Sequence, residues 1–102
     1  MSFLTRILGL KPKTDYKNLV KQGAVIIDVR TKAEFSTGHI KNSKNIPLES
    51  LQTKSSSFKK DKPIIVCCAT GMRSGTARRS LKAQGFQVYN GGGWISLNKK
   101  LQ

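Results

Sequence analysis

Nowhere does this chain string together anything close to the ~20 apolar residues that a helix needs to cross a bilayer. Its 102 residues hold one histidine and two cysteines, and only five acidic residues against 19 lysines and arginines. The cysteines, Cys67 and Cys68, are neighbours. Adjacent strand residues point to opposite faces, so the pair is badly placed to form a disulfide with itself. A zinc site wants spaced pairs and usually four ligands, which are missing too. Free thiols in a reducing cytoplasm are expected, with no metal and no cofactor. The shortage of acid leaves a formal net charge of +14, a surface that attracts anions and acidic partners. The lysines stand in ones and twos with no aromatic residues among them and no nucleic-acid motif. A solvated lysine-rich face therefore explains the charge better than specific nucleic-acid binding.

What is present suits one compact domain. A chain of this length buries about two-thirds of its unfolded surface, enough for a modest core. An apolar fraction of 37% and a charged fraction of 24% are those of a soluble globular protein. The first ten residues lack the basic start, longer apolar stretch and cleavage site of a secretory signal. Phe3, Leu4, Ile7 and Leu8 can share one helical face. Residues 1–13 read as an apolar arm and short basic linker, with packing on the domain preferred over membrane or partner contact. The domain itself is expected over residues 14–102.

Strands and helices alternate along that domain. Thr14 reads as the N-cap of a short helix stopped by Gly23. Ala24–Ile27 and Ile64–Cys67 are apolar runs of strand length, as in strands buried on both faces. Thr31 and Glu34 fit a capping box. Ser55–Ser57 reads as a loop. Ser74–Gln84 reads as a helix closed by Gly85, Phe86–Tyr89 as a third strand, and Asn90–Gly93 as a turn. The alternation predicts an α/β fold: a parallel β-sheet flanked by helices on both faces, with functional loops at the carboxyl ends of the strands. Asp28 and Cys68 both fall at such ends.

Cys68 is followed by a short glycine-containing loop and then a helix. Amides of a tight loop and a first helical turn have no intrahelical partners and can converge on the sulfur. The helix N-terminus adds partial positive charge, and Arg73 brings a full one. Each favours thiolate, the nucleophilic form, over thiol. Gly71 supplies a backbone conformation with positive φ. Taken alone, Cys-x-x-Gly equally suits an inert buried cysteine. The whole run Cys68-Ala69-Thr70-Gly71-Met72-Arg73-Ser74 at a strand-to-helix junction is far more specific.

That run resembles the active-site loop of the rhodanese-like domains. Asp28-Val29-Arg30, Glu34-Phe35, Gly38-His39-Ile40 and Asn45-Ile46-Pro47 resemble the family's first signature, and Tyr89 to Trp94 its C-terminal one. The match spans roughly residues 14–97 and fits small stand-alone members of thiosulfate sulfurtransferase type. It implies a persulfide mechanism. Cys68 takes sulfane sulfur from thiosulfate or another persulfide donor and passes it to a thiol, cyanide or a carrier protein. The family's catalytic cysteine falls on Cys68 and its substrate-binding loop amides on Ala69, Thr70, Gly71, Met72 and Arg73. Lys41-Asn42-Ser43 is more polar than the family's usual pair, and Cys67 is not required by the pattern. The fold is shared with dual-specificity phosphatases, where five residues separate cysteine from arginine. Here four do, residues 69–72, a tighter cradle that suits one extra sulfur atom on the thiolate and crowds a phosphate. The alternative is a non-catalytic interaction or sulfur-carrier module, but such versions usually lose the cysteine.

Several residues keep two readings. Asp28 is expected to be structural, a cap or a partner of Arg30. Arg30 either touches an anionic donor or pairs with Glu34. His39, the lone histidine, reads as part of a structural turn rather than a partner of Cys68. Arg78, Arg79 and Lys82 read as a solvated face, and Trp94 as packing beside the glycines. Cys67 is a small apolar core group or a resolving thiol.

Overall fold

The computed structural model describes residues 13–102, so the arm expected over the first ten residues lies outside the described residues. The order of elements is α1 (Tyr16–Lys21), β1 (Val25–Asp28), α2 (Lys32–Ser36), β2 (Lys44–Asn45), α3 (Leu48–Lys54), a 3₁₀ turn (Ser55–Ser57), β3 (Ile64–Cys68), α4 (Met72–Ala83), β4 (Val88–Gly93) and α5 (Trp94–Lys100). All four strands are parallel, in the order β2-β1-β3-β4. This is the expected α/β architecture. No helix among the described residues is long and apolar enough to cross a membrane.

The apolar run of β3 is buried at every position because both faces of the sheet are covered. On one face Ile27, Val29, Ile64, Val66 and Cys68 pack with Leu51 of α3 and Ala77 and Leu81 of α4. On the other, Ile26, Ile65 and Cys67 meet Leu97 of α5, with Tyr16 and Leu19 of α1 half-buried beside them. Strand alternation thus sends the two adjacent thiols into two different cores. At about 0.8 kcal/mol per buried methylene, β3 is the strand whose burial contributes most to holding both layers.

Four local readings change. The N-cap of α1 is Asp15, not Thr14: its carboxylate accepts the Asn18 N–H at 3.0 Å. Helix α4 begins at Met72, two residues earlier than expected, so Arg73 lies in its first turn. Ser55–Ser57 forms a 3₁₀ turn rather than a loop. Asn90–Gly93 is not a turn but the second half of β4, which starts at Val88 rather than Phe86. The register explains why a glycine run serves as strand. Val66 pairs with Asn90 but Cys67 with Gly92, so Gly91 is an extra residue, a bulge. Helices α3 and α5 and the two-residue β2 carry too little periodic signal to be read from sequence.

At Gly91 α5 packs against the sheet at the closest range the backbone allows. A Cβ there would lie 2.7 Å from Leu97 Cδ2 and 3.0 Å from Ile65 Cγ2. Both neighbours are fully buried core side chains with nowhere to move. Gly91→Ala is therefore expected to destabilise the domain by about 1–3 kcal/mol, the range for overpacking. Urea denaturation reads this as a lower midpoint with unchanged slope; an unchanged midpoint refutes the close fit.

Candidate active site

Cys68 ends β3, paired with Gly93 at the end of β4, and its side chain is fully buried. Its surroundings are not those of an inert core thiol. Gly71 N–H donates to Sγ at 3.0 Å and Ser74 N–H at 3.4 Å, with Ser74 Oγ at 3.3 Å. Gly71 makes this closure possible. It is the N-cap of α4 with φ of +100°, and a Cβ would lie 3.3 Å from Gly92 Cα. A side chain at that φ is strained in any case.

The two thiols are driven in opposite directions. Burial opposes ionisation of Cys68. The Ser74 hydroxyl, when its proton turns to the sulfur, and the amides of Ser74, Gly71 and Thr70 outweigh it and hold the thiol below its ordinary value. Cys67 has burial without such donors, together with the Asp28 carboxylate, and is pushed up to about 12 despite Arg30. Of the sequence-predicted loop, Gly71 and Thr70 supply amides to the sulfur. Ala69, Thr70 and Met72 are exposed at the rim, and Gly71 and Arg73 are half-buried.

Arg73 does not stand free. Its Nη1 and Nη2 donate to Glu34 Oε1 and Oε2 at 2.6 and 2.9 Å, so α2 and α4 are clamped and the guanidinium charge is shared. The Glu34 carboxylate is thereby taken, and Arg30 reaches only the Glu34 main-chain carbonyl, at 3.2 Å; its buried pair is with Asp28, with Nε 3.0 Å from both carboxylate oxygens and Nη2 2.8 Å from Oδ2. Arg30 also donates to the Gly38 carbonyl at 2.7 Å and lies 4.9 Å from the Trp94 ring centroid. The pair with Arg30 expected for Asp28 forms, and the two readings of Arg30 itself, donor contact and a pair with Glu34, give way to it. His39 is exposed, stacks on Phe35 and has Nδ1 2.8 Å from the Phe35 carbonyl; its contacts are local.

Two site residues had no single-residue signal. Ser74 is fully buried, and Asn90 Oδ1 accepts its hydroxyl at 2.7 Å. Asn90 Nδ2 donates to the Gly71 carbonyl at 3.2 Å, and Gly92 N–H donates to Oδ1 at 2.9 Å. Asn90 thus ties the loop to β4.

Two pH dependences follow. Glu34 is held down to about 2, first by Arg73 and then by the Thr31 amide. Its contribution to stability is complete above the ordinary carboxylate range near ~4.3 and is lost as pH falls toward about 2. Glu34→Gln is expected to flatten the fall in unfolding midpoint across that acid window, and an equal fall in both proteins refutes the clamp. Ultraviolet thiolate absorbance separates the cysteines. Cys67→Ala protein is expected to titrate below the free-thiol value of ~8.5, and Cys68→Ala protein to show no thiolate until strongly alkaline pH. The reverse order would overturn the assignment of the cradle.

The profile of the Rhodanese-like domain family matches residues 12–95. Uncharacterized protein YqhL of Bacillus subtilis is 40% identical over 68 residues, which is 66% of this chain but only 54% of that protein. The thiosulfate sulfurtransferase GlpE of Ectopseudomonas mendocina is 35% identical over 82 residues, covering 79% of this chain and 75% of the relative. Among solved structures, the rhodanese-related protein from Thermoplasma volcanium is 33% identical with a TM-score of 0.72 over 83% of each chain. The reduced Bacillus anthracis CoADR-RHD is 36% identical with a TM-score of 0.73, covering 85% of this chain and 16% of that one. With the profile running over most of the residues and solved relatives superposing on the same parallel sheet, this chain belongs to the rhodanese-like domain family.

Proposed function

We propose that this protein is a sulfurtransferase working through a persulfide on Cys68. The observation that carries this reading is the fan of N–H donors on the Cys68 sulfur, beside a neighbour thiol that has none. In the first half-reaction the thiolate attacks the outer sulfur of thiosulfate. A new S–S bond forms, the old one breaks, and sulfite leaves with the electron pair. In the second, an acceptor thiolate, cyanide or carrier-protein thiol attacks the terminal sulfur and releases the Cys68 thiolate. No electron donor or metal is needed.

The residues divide the work between charge and shape. Gly71, Thr70 and Ser74 amides sit at the N-terminus of the 12-residue α4, where unpaired donors and the helix dipole both favour an anion. They hold the thiolate before the attack. In the loaded form the loop amides of residues 69–73 are placed to take the negative charge of the terminal sulfur, a preorganised arrangement of the oxyanion-hole type. Arg73, clamped by Glu34, serves first to pin the loop and adds only a shared charge. The overall charge of +14 concentrates anionic donors near the surface. GlpE relatives described as thiosulfate sulfurtransferases support thiosulfate as donor, and the two free cysteines support a reducing cytoplasm as the setting.

Intact mass after thiosulfate treatment is expected to show a reducible gain of one sulfur. Cys68→Ser is expected to abolish both the gain and transfer to cyanide. Cys67→Ala is expected to keep most of the activity and lose about 1 kcal/mol of stability. No mass gain in the folded wild-type protein refutes the transferase reading. A folded Cys67→Ala protein as inactive as Cys68→Ser refutes the one-cysteine mechanism.

A further inference from the structure

The orientation of the Asn90 amide is fixed by its backbone partners. Nδ2 faces the Gly71 carbonyl and Oδ1 faces the Gly92 N–H. A carbonyl cannot donate and an N–H cannot accept, so the amide cannot be turned over. Oδ1 is therefore the atom 2.7 Å from Ser74 Oγ, and Ser74 must supply the proton between them. A hydroxyl has only one. With that proton committed to Asn90, Ser74 turns lone pairs toward Cys68 Sγ at 3.3 Å. The arrangement suits a thiol, which donates S–H to Ser74 while Ser74 donates O–H to Asn90. It does not suit a thiolate, which has no proton to give. Ser74 can meet the anion as a donor only by swinging its proton onto the sulfur and leaving Asn90.

We propose that Asn90 is a positioning residue that sets how readily Cys68 gives up its proton, by competing with the sulfur for the Ser74 hydroxyl. The competition distinguishes the two anionic forms of the site. In a persulfide, Sγ is bonded to carbon and sulfur and carries neither proton nor formal charge, which moves to the terminal sulfur. Ser74 then keeps its bond to Asn90. The empty thiolate forfeits that bond and the loaded form does not, so Asn90 favours loading. This last step rests on the sulfur-transfer reading; the competition for the proton does not.

Other groups near Cys68 act independently of this pair. Cys67 precedes it on β3, Arg73 of α4 is clamped to Glu34 of α2, and Asp28 and Arg30 pair at the end of β1. Tyr16 of α1 donates to the Asn90 main-chain oxygen at 3.0 Å, not to its side chain. Among the described residues none of them bonds Asn90 Oδ1 or Ser74 Oγ, so changes at positions 74 and 90 leave them in place.

A double-mutant cycle on the full chain, read by ultraviolet thiolate titration, tests the proposal. Asn90→Ala is expected to lower the Cys68 midpoint by about one pH unit, since a hydroxyl bond to the thiolate is gained without competition. Ser74→Ala is expected to raise the midpoint, and Asn90→Ala is expected to add no shift in the Ser74→Ala background. A purely structural Asn90 gives the opposite sign or the same shift in both backgrounds, and either result overturns the proposal. If circular dichroism shows Asn90→Ala unfolded, Asn90→Asp replaces it. That variant holds the Ser74 proton more tightly and is expected to raise the midpoint more with Ser74 present than in the Ser74→Ala background; equal shifts overturn the proposal. Failure of wild-type protein to gain sulfur from thiosulfate, with the cycle behaving as stated, removes the transfer reading and leaves the proton competition standing.

Discussion

Helix α4 has no side-chain cap at its N-terminus. The first amides of a helix must find acceptors somewhere, and here the Cys68 sulfur is that acceptor. The proposed nucleophile and the helix cap are the same atom. This shared bond explains the other placements. Gly71 adopts a left-handed conformation so that its N–H reaches the sulfur, Ser74 is buried behind it, and Asn90 holds both from β4. The clamp from Glu34 to Arg73 keeps the first turn of α4 against α2 from outside. Acidity and local folding therefore reinforce one another: what favours thiolate also orders the turn.

The same logic explains why two adjacent cysteines differ so much. They share a strand, a backbone and near-identical burial. Only the face differs, and with it the supply of donors. Cys67 enters a core of isoleucines and a leucine, where no hydrogen-bond donor meets the sulfur. Cys68 enters the opposite core at its edge, where α4 begins. Burial alone is a poor guide to reactivity; the hydrogen-bond inventory decides it.

The two central strands and the loop were legible in the sequence because their signals are local. The runs Ala24–Ile27 and Ile64–Cys67, the Thr31–Glu34 capping box and the spacing from Cys68 to Arg73 depend on residues close in the chain. Cys68, Gly71 and the alternation of the two thiols could be singled out for the same reason. What escaped depends on contacts between distant residues. Glu34 had Arg30 close by in sequence, and nothing nearby says that its carboxylate takes Arg73, 39 positions on. The bond from Ser74 to Asn90 joins residues 16 apart through the packing of α4 on β4. The glycines after Asn90 read as a turn because glycine weakens strands. In the fold their value is the missing side chain, which lets α5 and the loop approach the backbone.

The bulge at Gly91 shifts the register of β4 by one residue halfway along its length. Asn90 lies before the shift and Gly92 after it, yet both must face the Cys68 loop. The number of residues between Tyr89 and Trp94 is therefore set by geometry as firmly as their identity. Losing or gaining one glycine would turn either the Asn90 amide or the start of α5 to the wrong side of the sheet. The surface segment from Lys59 to Lys62, by contrast, is exposed and joins no ladder, so a change in its length disturbs no strand pairing. Of these two segments, the one that tolerates a change in length precedes the start of β3, and the one that forbids it lies at the carboxyl end of β4.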